Sequence, residues 1–186
     1  MNKKQIISLA GELASGKGVI STIITQKLNY GIYRNGEYFR KLAKENNMDV
    51  TAFNKYVKNH PEIDLQIEQS ASEYAKTHDK FVIDARLGWY AVPESFKVYL
   101  TVDIDEAARR AFNDEKRKQT EKFATMEEQK QDLITRYKLE NERYWELYHV
   151  RKEDLSNYDL VLDTTAGNPE KVADKIIEEY EKWIKN

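Results

Sequence analysis

The chain has 186 residues, 40% of them hydrophobic and 33% charged, with a formal net charge of −2. This length predicts one domain of ordinary size. The 30 basic and 32 acidic side chains nearly balance, which argues against a broad nucleic-acid surface, because such a surface needs a basic excess. Since cysteine is absent, neither a disulfide framework nor a thiolate metal site can form.

The sequence also argues against a membrane protein. No apolar run approaches the roughly 20 residues of a membrane helix, and the apolar residues near the start are too few for a signal-peptide core. We therefore expect a cytoplasmic protein with no membrane partner.

Strand patterns and helix patterns alternate along the chain. Short apolar runs predict strands at 6–10, 31–33, 81–83, 96–102 and 158–163. Apolar residues at helical spacing predict helices at 17–28, 37–46, 51–60, 61–78, 105–118, 125–149 and 168–183. Thr125 and Glu128 form a capping box before the long helix, and the segment 119–124 is predicted to be a loop.

This alternation implies an α/β fold, in which helices cover both faces of a parallel sheet. Ligands of such sheets bind beyond the carboxyl ends of the strands. Candidate site residues should therefore directly follow a strand.

The segment after the first strand fits the G-x4-G-K phosphate-loop motif at residues 11–18. Its glycines permit backbone conformations that turn amide N–H groups toward phosphate oxygens, and the next helix adds its positive N-terminal dipole. Lys17 supplies a cation that can follow the transferred phosphoryl group. The residues predicted to bind the ATP phosphates are Gly11, Ala14, Ser15, Gly16, Lys17 and Gly18.

A magnesium site is predicted at Asp84, which follows the strand 81–83. An acid at this place orders the water molecules of a nucleotide-bound metal ion. Gly18 stands where many phosphate loops carry a Ser or Thr ligand, and the lack of that hydroxyl argues against a GTPase-type switch. Magnesium can still be held by phosphates, waters and a carboxylate. The alternative is that Asp84 merely ends a strand.

Two arginines are candidates for binding an acceptor phosphate. Arg86 lies two residues beyond Asp84, and Arg40 lies in the helix that follows the second strand. The planar guanidinium fork suits bidentate contacts with phosphate. The alternative for both is a structural or solvated ion pair.

The chain resembles the cytidylate-kinase-like branch of the nucleoside monophosphate kinases, in the P-loop NTPase superfamily. The segments that carry this resemblance are 36–45, 53–56, 60–64, 84–87, Arg136, 143–148 and 154–161. Together they span nearly the whole chain, and the stretch 112–126 is only weakly similar. The phosphate loop departs from the family at Glu12, Leu13 and Ala14, and we expect the Glu12 carboxylate to point to solvent.

The resemblance implies a three-layer P-loop kinase formed by one domain, 1–186. Its core would be 1–34, 77–111 and 143–186, with a helical monophosphate-binding insert at about 35–76 and a lid at about 112–142. By this analogy Arg40 and Arg86 would grip the acceptor phosphate. Arg136 and Arg143, with Arg110 as a weaker candidate, would neutralise charge during transfer. Arg136 and Arg143 could instead pair with Glu140 and Glu146.

The implied activity is transfer of the γ-phosphate of ATP to CMP or dCMP, with UMP as a further candidate and Mg²⁺ as the metal. Tyr38, Trp89 and Tyr90 could stack on a base or belong to the core. Two alternatives remain: the same fold acting on AMP or another small acceptor, and a nucleotide-binding regulatory protein without turnover. The predicted partners are small nucleotides, and the sequence leaves monomer or homodimer open.

Overall fold

The computed structural model describes residues 4–48, 52–53, 56–57, 59–115 and 123–185. Its strands are β1 (Ile6–Gly11), β2 (Gly31–Arg34), β3 (Phe81–Asp84), β4 (Phe96–Thr101) and β5 (Leu160–Asp163). They form a sheet in the order β2-β3-β1-β4-β5, and all four neighbouring pairs are parallel. The predicted parallel sheet is therefore confirmed.

Helices follow most of the strands. They are α1 (Lys17–Leu28), α2 (Asn35–Glu45), α3 (Pro61–Thr77), α4 (Gly88–Ala91), α5 (Ile104–Asn113), α6 (Met126–Tyr148) and α7 (Pro169–Lys185). A 3-10 turn, Leu155–Asn157, precedes β5. The observed strand β5 therefore begins two residues later than the predicted strand, 158–163. The short helix α4 was not predicted.

The other predicted helices are confirmed within a few residues, except where the chain is not described. In the predicted helix 51–60, residues 52–53 and 56–57 are helical; residues 51, 54, 55 and 58 lie outside the described part. The predicted helix 105–118 ends at Asn113, and residues 116–118 lie outside the described part. Residues 119–122 of the predicted loop 119–124 also lie outside the described part.

Both faces of β1 are buried, and this strand is the centre of the core. On one face Ile7 and Leu9 pack with α1 and α7, whereas on the other Ile6 packs with Ala71 and Ala75 of α3. Each fully buried Ile or Leu contributes about 1.5–3 kcal/mol. This packing fixes the end of β1, and so the start of the phosphate loop.

The Thr125 half of the capping box at the start of α6 is confirmed, whereas the Glu128 carboxylate binds the amide one residue before Thr125. The Thr125 hydroxyl accepts a hydrogen bond from the Glu128 amide at 3.2 Å, and the Glu128 carboxylate accepts one from the Ala124 amide at 2.8 Å. The Thr125 contact satisfies an amide group that the first turn of a helix leaves unpaired. Across the described ranges, no helix is long and apolar enough to cross a membrane.

Candidate active site

The phosphate loop leaves β1 with a backbone that favours glycine. A Cβ atom on Gly11 would lie 2.6 Å from the Leu100 carbonyl oxygen of β4, which is too close for any side chain. Gly16, at the N-terminus of α1, has φ 82°, and Ala14 has φ 60°. Gly16 adopts this left-handed conformation without the steric cost that a Cβ brings, a cost that Ala14 bears.

Glu12 does not point to solvent, so this expectation was wrong. Its carboxylate accepts a hydrogen bond from the Val102 amide at 2.7 Å, and its own amide donates to the Leu100 carbonyl oxygen at 2.9 Å. The side chain therefore joins the phosphate loop to the end of β4. An acid in this orientation satisfies a backbone amide, which accounts for its presence in a loop that binds anions.

Thr164, just after β5, supports the loop from the other side. Its hydroxyl lies 3.0 Å from the Ser15 carbonyl oxygen and 2.9 Å from that of Thr101. The Ser15 hydroxyl is buried and has no hydrogen-bond partner within the described part of the chain. Because an unpaired buried hydroxyl is costly, it is a donor available to a phosphate oxygen.

Lys17 and Asp84 meet at the carboxyl ends of β1 and β3. Lys17 Nζ lies 2.6 Å from Asp84 Oδ1, and Arg34 Nε lies 3.6 Å from Asp84 Oδ2. Burial alone would raise the pKa of Asp84, but the charges of Lys17, Arg34 and Arg86 outweigh it and lower that pKa. Asp84 is therefore an anion at neutral pH.

Arg86 reaches from the end of β3 toward both the phosphate loop and α6. Its Nη1 donates to the Gly11 carbonyl oxygen at 3.3 Å, and its Nε lies 2.9 Å from Glu140 Oε2. Lys152, whose side chain is 1% exposed, places Nζ 2.6 Å from the same oxygen. Burial would raise the pKa of Glu140, but these two cations lower it. One carboxylate thus holds two cations, the buried Lys152 and the partly buried Arg86.

The other predicted arginines are Arg136 and Arg143 of α6 and Arg40 of α2. Arg143 of α6 is half-exposed and pairs with Asp64 of α3 at 3.4 Å, and Arg136 pairs with Asp132 of its own helix at 3.6 Å. Arg40 is exposed on α2. Arg40, Arg136 and Arg143 are not among the residues that line the cleft beside Lys17.

A cleft of about 1160 Å3 opens beside the loop. Its lining includes residues 12–20 of the loop and α1, Arg34, Arg86, Arg109, Arg110 and the segment 164–167. Arg110 is anchored here, since it pairs with Glu106 and donates to the carbonyl oxygens of Thr164 and Thr165. The cleft has the size of a nucleotide site, and its cationic residues suit a polyphosphate.

The three aromatic residues considered for contact with a base differ in burial. Trp89 is 8% exposed and packs with Tyr99 and Tyr144 in the core, so it does not present a free face to a base. Tyr90 is exposed, and the Tyr38 hydroxyl accepts a hydrogen bond from Gln66. These two remain candidates for contact with a ligand.

The residues present suit magnesium that arrives with a nucleotide. No group of three or more acidic or histidine side chains able to hold a metal is found in the described ranges. The anionic Asp84 lies beside the loop, with the Ser21 hydroxyl 3.4 Å from its Oδ2. A single carboxylate with a neighbouring hydroxyl fits an ion whose other ligands are phosphates and waters.

The sheet, the loop that joins β1 to α1, and the Lys17–Asp84 pair define a P-loop phosphotransferase. The model of the cytidylate kinase-like family matches residues 6–166, and the chain belongs to that family. Similar curated proteins are the cytidylate kinases of Methanocaldococcus jannaschii (34% identical, over 90% of this chain and 92% of the relative) and Thermoplasma volcanium (33%, over 90% and 86%).

Solved structures support the fold. An uncharacterized protein from Eubacterium ventriosum has a TM-score of 0.70 at 14% identity, over 96% of this chain and 99% of the other. Shikimate kinase from Acinetobacter baumannii has a TM-score of 0.61 at 13% identity, over 97% and 95%. At these identities the likeness concerns the P-loop kinase fold alone.

Sequence reasoning missed several residues of this site. Arg34 ends β2 beside Asp84, and the rule that site residues follow strands would have found it. Glu140 was considered only as a partner of Arg136 or Arg143, but it pairs with Arg86 and Lys152. No local pattern marks Lys152, because only the fold brings it to α6.

Proposed function

We propose that this enzyme is a nucleoside monophosphate kinase that transfers the γ-phosphate of ATP to CMP or dCMP, with UMP as a further candidate. The observation that carries the proposal is the meeting of Lys17, Asp84 and Arg86 at one edge of the sheet. The names of the archaeal relatives support the acceptor class.

On this proposal the loop 11–18 binds the phosphates of ATP through backbone amides, and Lys17 follows the γ-phosphoryl group to the acceptor. Arg34 also contacts Asp84, at 3.6 Å, and Arg86 binds the acceptor phosphate. When ATP binds, Lys17 exchanges the Asp84 carboxylate for phosphate oxygens. Asp84 would then hold Mg²⁺ through its waters, and the ion would supply charge neutralisation for the phosphates.

The acceptor lies between the insert 35–76 and the lid 112–142 in this proposal. Because Arg40 is exposed and Arg143 is tied to Asp64, binding requires these segments to rearrange around the acceptor. Closure excludes water, which would otherwise compete as the phosphoryl acceptor. Arg136 and Arg143 then neutralise charge during transfer, as the family resemblance implies.

The test is ADP release from ATP-Mg measured across CMP, dCMP, UMP, AMP and shikimate. We expect CMP or dCMP to give the highest kcat/KM. The proposal would be wrong if AMP or shikimate gave the highest value, or if ATP bound in calorimetry but no acceptor raised ADP release. The last result would favour the regulatory alternative.

A variant pair sharpens this test. Arg86→Ala removes a guanidinium group from the acceptor side, so the KM for the acceptor should rise by about 10-fold or more, as expected for loss of a charged hydrogen bond. The Kd for ATP should change little. Arg151→Ala is the matched control, because Arg151 is exposed and its guanidinium contacts Glu153 and the Trp145 ring rather than the phosphate loop. Equal kinetics in both variants would contradict the role of Arg86.

A further inference from the structure

Helix α3 carries two acidic residues on its buried face, one turn apart. Asp64 is 5% exposed and Glu68 is 7% exposed. Carboxyl groups are rarely buried to this extent unless they are paired. Their neighbours come from two other elements, Asn35 at the start of α2 and Arg143 of α6.

These neighbours leave several polar atoms unsatisfied. Asn35 Nδ2 donates to Glu68 Oε2 at 3.2 Å. Arg143 Nε approaches Asp64 Oδ2 at 3.4 Å without the geometry of a hydrogen bond. Asp64 Oδ2, Asn35 Oδ1 and the Tyr148 hydroxyl are all buried with no hydrogen-bond partner in the part of the chain that the structure describes. Each such atom costs about 1–3 kcal/mol, which a polar ligand would recover.

The cluster lies next to the groups assigned to the acceptor phosphate. Asn35 directly follows Arg34, which contacts Asp84. Arg143 follows Glu140, the partner of Arg86, by one helical turn. A nucleotide whose phosphate is bound at Arg86 would therefore extend its nucleoside toward α3.

We infer that Asp64, Glu68 and Asn35 read the base of the acceptor nucleotide, and that they select a base with an exocyclic amino group, cytosine rather than uracil. The inference rests on the proposed function. Asn35 Oδ1, and Asp64 Oδ2 in its ionised form, can only accept hydrogen bonds. Cytosine offers two N4–H donors, and carboxylates accept from this group, whereas uracil presents the acceptor O4 at the same place.

The protonation of Glu68 adds to this complementarity. Burial, and then the neighbouring Asp64, raise the pKa of Glu68 to about 7. The groups that face it are Asp64, Asn35, Arg143 and Lys17, together with the tyrosines 144 and 148. A protonated Glu68 can donate to the ring nitrogen N3, which is an acceptor in cytosine and carries a proton in uracil.

The experiment compares kcat/KM for CMP, dCMP and UMP in wild type, Asp64→Asn and Glu68→Gln. Asp64→Asn replaces an acceptor by an amide that can donate to O4 of uracil. The ratio of kcat/KM for CMP to that for UMP should therefore fall by about 10- to 100-fold. Glu62→Gln is the matched control, since Glu62 lies exposed in the first turn of the same helix, and its ratio should equal that of wild type.

Thermal unfolding shows which variants remain folded. If Asp64→Asn does not fold, Asn35→Ala removes an acceptor from a partly exposed residue, and its CMP-to-UMP ratio decides instead. An unchanged ratio, or equal losses for CMP and UMP, would overturn the inference and leave the proposed function intact. A change in the CMP-to-dCMP ratio alone would also overturn it, because the acids would then read the ribose. Failure of wild type to phosphorylate any pyrimidine nucleotide would refute the proposed function itself.

Discussion

The change Lys152→Met tests whether a buried lysine positions Arg86 through Glu140. Lys152 Nζ lies 2.6 Å from Glu140 Oε2 and 4.6 Å from the centre of the Tyr137 ring. Removing one partner of a buried ion pair costs about 3–5 kcal/mol. Because Arg86 remains 2.9 Å from the same carboxylate, we expect the lower end, about 3 kcal/mol. For a chain of this size, that lowers Tm by about 6–12 °C.

Calorimetric melts and acceptor kinetics measure the two consequences. The KM for the acceptor should rise because Glu140, paired with Arg86 alone, draws that side chain away from the phosphate loop; the Kd for ATP should stay within twofold. The double variant Lys152→Met/Glu140→Gln should lose about 2 kcal/mol less than the sum of the two single losses, because both changes remove the same ion pair. If the double variant lost the sum of the two single losses, the coupling between Lys152 and Glu140 would be refuted.

Three further predictions follow from the site. Lys17→Ala should lower kcat by about 10³-fold or more with little change in the circular dichroism melt; near-normal turnover would contradict its role in transfer. Gly11→Ala places a Cβ atom 2.6 Å from the Leu100 carbonyl oxygen and should cost about 2–3 kcal/mol in urea unfolding. The control Gly36→Ala, in an exposed helical position, should cost nothing. Since the pKa of Glu68 is about 7 in the folded chain and 4.5 as a free side chain, the folded state binds the extra proton between these values. Urea unfolding should therefore show the wild type losing up to about 3 kcal/mol between pH 5 and pH 8. Glu68→Gln should not lose that part, and equal losses in both proteins would show that Glu68 does not titrate near neutrality.

The sheet and the phosphate loop were predictable because their signals are local. A buried strand, a glycine-rich turn and an amphipathic helix follow one another within residues 6–28, and the period of the apolar residues separates strand from helix. The capping box at Thr125 is local in the same way. The helix α4 was missed because four residues are too few to show a period.

The side-chain contacts of the site were less predictable, because the fold brings together charged residues that are far apart in sequence. In sequence, an acid at position 12 is unfavourable near phosphates. In the fold, the Glu12 carboxylate accepts a hydrogen bond from the Val102 amide, which is 90 residues away. Asp64 and Glu68 resemble solvated helix residues in sequence, yet α6 and α2 cover them. The roles of Arg40, Arg136 and Arg143, and the bounds of the insert and lid, stay predictions.

The place of β1 in the sheet affects how the chain is made. This strand leaves the ribosome first, but it pairs Ile6 with Phe81 and Ile7 with Phe96. At 5–20 residues per second, its first partner strand follows after about 4–15 s. During this time six residues that end up fully buried have no neighbouring strand to pair with. We expect the nascent chain to need a chaperone at this stage, and removal of β1 to prevent folding altogether.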